Sequence, residues 1–164
     1  MVFNTILTAI FLAITLVLQI SGLPKLLTGV AVNVIYIILY HSCGFRYVFM
    51  LAVITPIFSF FTGHLPPPLI LLAPFIAAGN IVMVCCYHAA KNKNIYVRIA
   101  VPSLMKAIII GVPGVYAAGK IGLENAGLAV IHVIVSIQIF TAAFGIMFGE
   151  YLYKRILSRL KRRG

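Results

Sequence analysis

Five polar side chains stand in or beside apolar stretches and are the residues with chemistry to offer: Lys106, Asn80, Gln138, His132 and His64. A lysine in an apolar helix needs either a bound anion or burial as a neutral amine. Each amide can give and accept directional hydrogen bonds. The partner of Asn80 or Gln138 can be a ligand or a neighbouring helix, where such bonds average about 0.6 kcal/mol. His132 can cap a helix turn or face a pocket. His64 belongs to Gly63-His64-Leu65-Pro66-Pro67-Pro68, a stiff turn in which three prolines remove three backbone donors. Catalytic signatures are missing. The only carboxylates are Glu124 and Glu150, there is no H-E-x-x-H, and Cys43, Cys85 and Cys86 form no C-x-x-C pair. The expectation is a binding protein rather than an enzyme, with no metal and no cofactor.

The elements that must position these residues follow from composition. Of 164 residues 63% are apolar and 9% charged, with a mean hydropathy of +1.13. Soluble domains carry roughly 25% charged residues, so a soluble enzyme or DNA-binding domain is excluded. A span takes about 20 residues, so six spans take about 120 and leave little for loops. The expected fold is all-α: a compact bundle of six transmembrane helices over residues 1–153, followed by a basic tail at 154–164. The apolar segments are about Val2 to Ile20, Leu27 to Tyr40, Tyr47 to Thr62, Leu69 to Ala89, Ile95 to Ala118 and Gly127 to Tyr153. Pro56 should kink the third. No Lys or Arg precedes Lys25, so the first segment reads as a retained helix rather than a cleaved signal.

The formal charge of +11 points to membrane orientation rather than nucleic acid. Arg46, Lys91, Lys93, Arg98 and six tail residues make ten basic groups on one side, against Lys25 and Lys120 on the other. By the positive-inside rule both termini are cytoplasmic, in a multi-pass protein of the cell membrane. With that orientation Lys106, Asn80 and Gln138 each lie about 11 or 12 residues into their helices, at similar depth near mid-bilayer. His132 is shallower, and His64, Tyr116, Glu124 and Asn125 form the outer rim. This is a ligand pocket open to the outside. Lys106 has no carboxylate at its depth, which points to a small organic ligand bearing a carboxylate or another strongly accepting group. His41 and His88 read as residues at cytoplasmic helix ends. Tyr36, Tyr40, Tyr47, Tyr96, Tyr151 and Tyr153 read mostly as membrane-interface anchors.

Small residues recur at four-residue spacing in Thr5-x-x-x-Ala9-x-x-x-Ala13 and Thr141-x-x-x-Gly145-x-x-x-Gly149. Such stripes let helix backbones approach closely, by default inside the bundle. There is no P-loop, no run of carboxylates for a proton relay and no internal repeat, so energy for transport must come from elsewhere.

Ala9-x-x-x-Ala13, Thr55-Pro56, the stretch Thr62-Gly63-His64-Leu65-Pro66-Pro67-Pro68, Pro74-Phe75-Ile76-x-x-Gly79-Asn80, Lys106 and Gln138-x-x-Thr141-Ala142-x-x-Gly145 follow one another in an order that resembles the S-components of energy-coupling factor transporters. The resemblance covers nearly the whole chain. It implies a substrate-binding subunit that captures a vitamin or related micronutrient outside the cell. Such a subunit docks on a transmembrane coupling protein driven by two ATP-binding subunits and topples to release its substrate. It further implies that Ala9 and Ala13 form the docking face and that the outer loops and last three helices build the pocket. The alternative is a self-sufficient small secondary transporter or channel, with Lys106 and His132 coupling ions. An integral-membrane enzyme is a third and weaker reading.

Overall fold

The computed structural model describes residues 2–61, 73–120 and 125–157, without the side chains of 117–120, 125–128, 130, 156 and 157. Among the described residues six α-helices follow in order: α1 (Val2–Ile20), α2 (Lys25–Cys43), α3 (Phe45–Phe61), α4 (Ala73–Ala89), α5 (Ile95–Lys120) and α6 (Asn125–Leu152). The last runs on through a π turn, Tyr153–Leu157. The described residues contain no strand. Helices α1 and α2 are long and apolar enough to cross a membrane, as are Ile95–Tyr116 within α5 and Ile131–Arg155 at the end of α6. Helices α3 and α4 are apolar but have 17 residues each, about 25 Å at ~1.5 Å per residue.

Local chemistry sets the helix boundaries. Gly22 has φ +70° in the Ser21–Pro24 connection, and Pro24 presets the backbone before α2. One residue, Gly44, separates α2 from α3. Its φ of +97° is open to glycine without steric cost, and its N–H donates to Tyr40 O at 3.0 Å. The polar run His41–Arg46 is therefore not a loop, and both helices extend into it. Asn94 caps α5, its Oδ1 accepting from Val97 N at 2.9 Å. Pro56 lies inside α3, which continues to Phe61.

Helix α2 packs against α1, α3 and α6, while α3 meets α4, α4 meets α5 and α5 meets α6, closing the bundle. The glycines of α6 make its contact with α2. A Cβ on Gly145 would collide with Asn33, and one on Gly149 would sit 2.6 Å from Ile37 Cβ and 3.2 Å from Val34 O. The apolar core lies toward the Gly44 end. It contains Tyr36, Ile37 and Leu39 of α2, Leu51 of α3, Met83 of α4 and Ile146 of α6. Many large apolar side chains on the outer surface stay exposed, Ile10, Val17, Val112 and Val133 among them. A bundle with a wet exterior would hide these; one in lipid does not.

Polar residues at the Gly44 end correct several expectations. Glu150, only 3% exposed, accepts from Arg98 and Tyr87, with His41 Nε2 at 3.3 Å and Lys154 Nζ at 3.5 Å. Tyr40 Oη and His88 Nδ1 share a hydrogen bond of 2.9 Å, and His41 stacks on Tyr153 with ring centroids 4.3 Å apart. Arg98 is thus an ion-pair partner rather than a free loop charge. His41, His88, Tyr40 and Tyr153 are parts of one aromatic and ionic cluster. Tyr36 is fully buried at 0% exposure and is no interface anchor, because its position on α2 faces the core. Tyr96 and Tyr151, in contrast, are exposed.

Candidate functional site

A cavity of about 170 Å³ opens in the half of the bundle away from the ionic cluster, with lining residues from all six helices. Its position follows from helix periodicity. Lys25, Thr28, Gly29, Val32 and Asn33 recur along one face of α2, and Ile134, Ile137, Gln138 and Thr141 along one face of α6. Thr55, Pro56 and Ser59 contribute from α3, Ile76 and Asn80 from α4, Lys106 from α5 and Gln19 from α1.

Lys106 is 3% exposed and Asn80 is 7% exposed. These two and Gln138 line the same cavity. His132 does not. It is exposed, and its backbone carbonyl accepts from Ser136 Oγ at 2.8 Å. Six residues of α-helix turn through about 600°, which puts His132 about 240° around α6 from Gln138. The sequence groups the two along one path to the outer side; azimuth separates them. His64, the 63–68 turn and Glu124 lie outside the described residues. Ala9 and Ala13 are exposed on the outer side of α1. The Thr5–Ala9–Ala13 stripe is therefore not packed inside this chain as Gly145 and Gly149 are.

Two buried amides missing from the sequence reading complete the polar lining. Lys106 Nζ donates to Asn33 Oδ1 at 3.2 Å, across from α5 to α2. Gln19 Nε2 donates to Thr55 O at 3.4 Å, tying α1 to α3. The criterion that singled out Asn80, an amide within an apolar run, also picks out Asn33 and Gln19. The threonines spend their hydroxyl protons on their own helices: Thr55 Oγ1 to Leu51 O at 2.6 Å, Thr141 Oγ1 to Gln138 O at 3.3 Å and Thr28 Oγ1 to Pro24 O at 3.4 Å.

Among the described residues every salt bridge falls on Glu150, so Lys106 has no carboxylate partner there. Aliphatic side chains, a cation-bearing residue and several amides make a surface suited to reversible capture of a small polar molecule. Among the described residues no group of His, Cys, Asp and Glu could hold a metal ion. No family model, no curated protein and no solved structure matches the chain.

Proposed function

We propose that the chain is the substrate-binding subunit of an energy-coupling factor importer. In this reading it crosses the cell membrane six times, with both termini in the cytoplasm. It captures a vitamin-like micronutrient from outside and delivers it by docking on a transmembrane coupling protein served by two ATP-binding subunits. The observation that carries the reading is the cavity that brings Lys106, Asn80 and Gln138 together with Asn33. Its place supports capture from outside: it lies in the half of the bundle away from Arg46, Lys91, Lys93 and Lys154, which mark the cytoplasmic end under the positive-inside rule. The exposed Ala9–Ala13 face of α1 offers flat ground on which another helix can pack closely. Helices α3 and α4, at 17 residues, stand at the short limit of what can span a bilayer.

The deciding experiment has two arms. The purified chain is denatured and any released small molecule identified by mass spectrometry. Uptake of that molecule is then measured in proteoliposomes holding the chain alone or with a coupling protein and two ATPases. ATP-dependent uptake only in the second case supports the proposal. Uptake by the chain alone under an ion gradient would replace it with a secondary transporter.

A further inference from the structure

The cavity has two polar walls of different chemistry. On the α2–α5 wall, Asn33 is 1% exposed and spends its Oδ1 on Lys106 Nζ. Its Nδ2 is buried and meets no acceptor among the described residues. That amide nitrogen and the lysine nitrogen are neighbouring donors, and both have protons to spare. On the α1–α3 wall, Gln19 is 6% exposed and spends its Nε2 on Thr55 O, while its Oε1 is buried and meets no donor among the described residues. A buried amide atom left unpaired is destabilising, because it has given up water without gaining a partner. The two residues that carry these atoms, of opposite polarity, line one cavity. Between them the walls are aliphatic, with Val32, Ile76, Ile134 and Ile137.

We propose that the cavity takes a small organic anion with a hydrogen-bond donor at its far end. Lys106 Nζ and Asn33 Nδ2 hold the oxyanion, an apolar middle lies against the aliphatic walls, and Gln19 Oε1 accepts from the distal N–H or O–H. The assignment rests on the importer reading above and narrows its substrate class. A bound cation would lie beside Lys106 with no carboxylate among the described lining residues to offset its charge. The cavity is open on one side and has a volume of about 170 Å³. An engineered cavity of about 150 Å³ takes up benzene, so the described space has room for one ring, or its aliphatic equivalent, with small polar groups. The described lining has no aromatic side chain, so recognition comes from the two polar ends rather than from stacking.

Para-hydroxybenzoate is a probe with these features: a carboxylate, an apolar ring and a distal hydroxyl. Para-hydroxybenzamide lacks the charge, and para-methylbenzoate lacks the distal donor. The full chain, purified in detergent and freed of co-purified ligand, is titrated calorimetrically with all three. The hydroxy acid should bind at least about tenfold more tightly than the amide and about fivefold more tightly than the methyl acid, the sizes of a charged and a neutral hydrogen bond. Asn33→Leu should narrow the acid–amide gap, and Gln19→Met should erase the hydroxyl–methyl gap while leaving the first intact. Equal affinity for acid and amide, or no binding of any probe at millimolar concentration, overturns the proposal. If the wild-type preferences appear but survive both substitutions, the assignment to Asn33 and Gln19 is overturned. These preferences belong to the isolated chain, whereas the importer reading is judged by partner-dependent uptake, so either can fail while the other stands.

Discussion

Lys106 and Glu150 are both buried, yet their surroundings assign them opposite tasks. Glu150 is ringed by Arg98, Tyr87, His41 and Lys154. Arg98, Tyr87 and His41 come from other helices, so it fastens α6 to α5, α4 and α2. Removing one member of a buried ion pair strands the other, at a typical cost of about 3–5 kcal/mol. Glu150→Gln should therefore lower the unfolding temperature of the detergent-solubilised chain sharply. Glu150→Leu combined with Arg98→Met should recover part of the loss, since an apolar pair leaves no stranded charge. Thermal unfolding of the three variants checks both statements. Lys106 has one amide oxygen for company and faces a cavity. Lys106→Met keeps much of the length and apolar volume and removes the charge. A lost charge-assisted hydrogen bond is worth roughly 1.5–3 kcal/mol, so affinity for the ligand identified by mass spectrometry should fall about ten- to 150-fold. Titration of both proteins measures this, and unchanged affinity places Lys106 outside the binding function.

Two helices carry stripes of small residues, and the bundle uses them differently. On α6, Gly145 and Gly149 meet α2 backbone and side chains directly, and Gly29 of α2 meets Thr141 in return, with a Cβ there 2.9 Å from Thr141 Cγ2. Gly145→Ala must push α6 away from Asn33, and Asn33 holds Lys106. The expected result is a less stable chain with weakened ligand binding, since overpacking costs about 1–3 kcal/mol. Met147→Leu, at an exposed position of the same helix, should leave both nearly unchanged. Unfolding temperature and ligand titration on the two variants make the test. On α1 the stripe faces outward, with Ala9 and Ala13 exposed. Under the proposed function, Ala9→Trp with Ala13→Trp fills the surface needed by the coupling protein. Ligand binding by the isolated double variant should stay normal while uptake is lost. Normal uptake with an intact complex would remove α1 from the docking role.

Across the whole molecule the two ends differ in kind. One holds the ionic and aromatic cluster with Arg46, Lys91 and Lys93 nearby, and the other holds the cavity with Lys25 at its edge. Pairing with Glu150 removes Arg98 and Lys154 from the count of free charges, yet the asymmetry survives. Orientation with the basic end in the cytoplasm predicts that a cysteine introduced at Leu65 reacts with an impermeant reagent added to intact cells, and one at Asn92 does not. The native cysteines Cys43, Cys85 and Cys86 are first replaced by Ala to give a clean background. The reverse labelling pattern would invert the topology.

Composition and spacing alone determined the helical class and the number of helices, because 63% apolar residues in runs broken by glycine, proline and polar clusters leave the backbone little choice. Rise along a helix also put Lys106, Asn80 and Gln138 at one level, since depth depends only on counting residues. Which side chains meet at that level was decided by tertiary packing. Asn33 became the partner of Lys106 because Gly145 lets α6 close on α2, and α2 presents Thr28, Val32 and Asn33 to the same space. His132 was left outside because its azimuth on α6 faces away. Glu150 and Arg98, far apart in sequence and each readable as a surface charge, became a buried pair because α5 and α6 pack side by side. Depth is a one-dimensional property that a chain carries in its order, whereas azimuth and partnership depend on how each helix is turned against its neighbours.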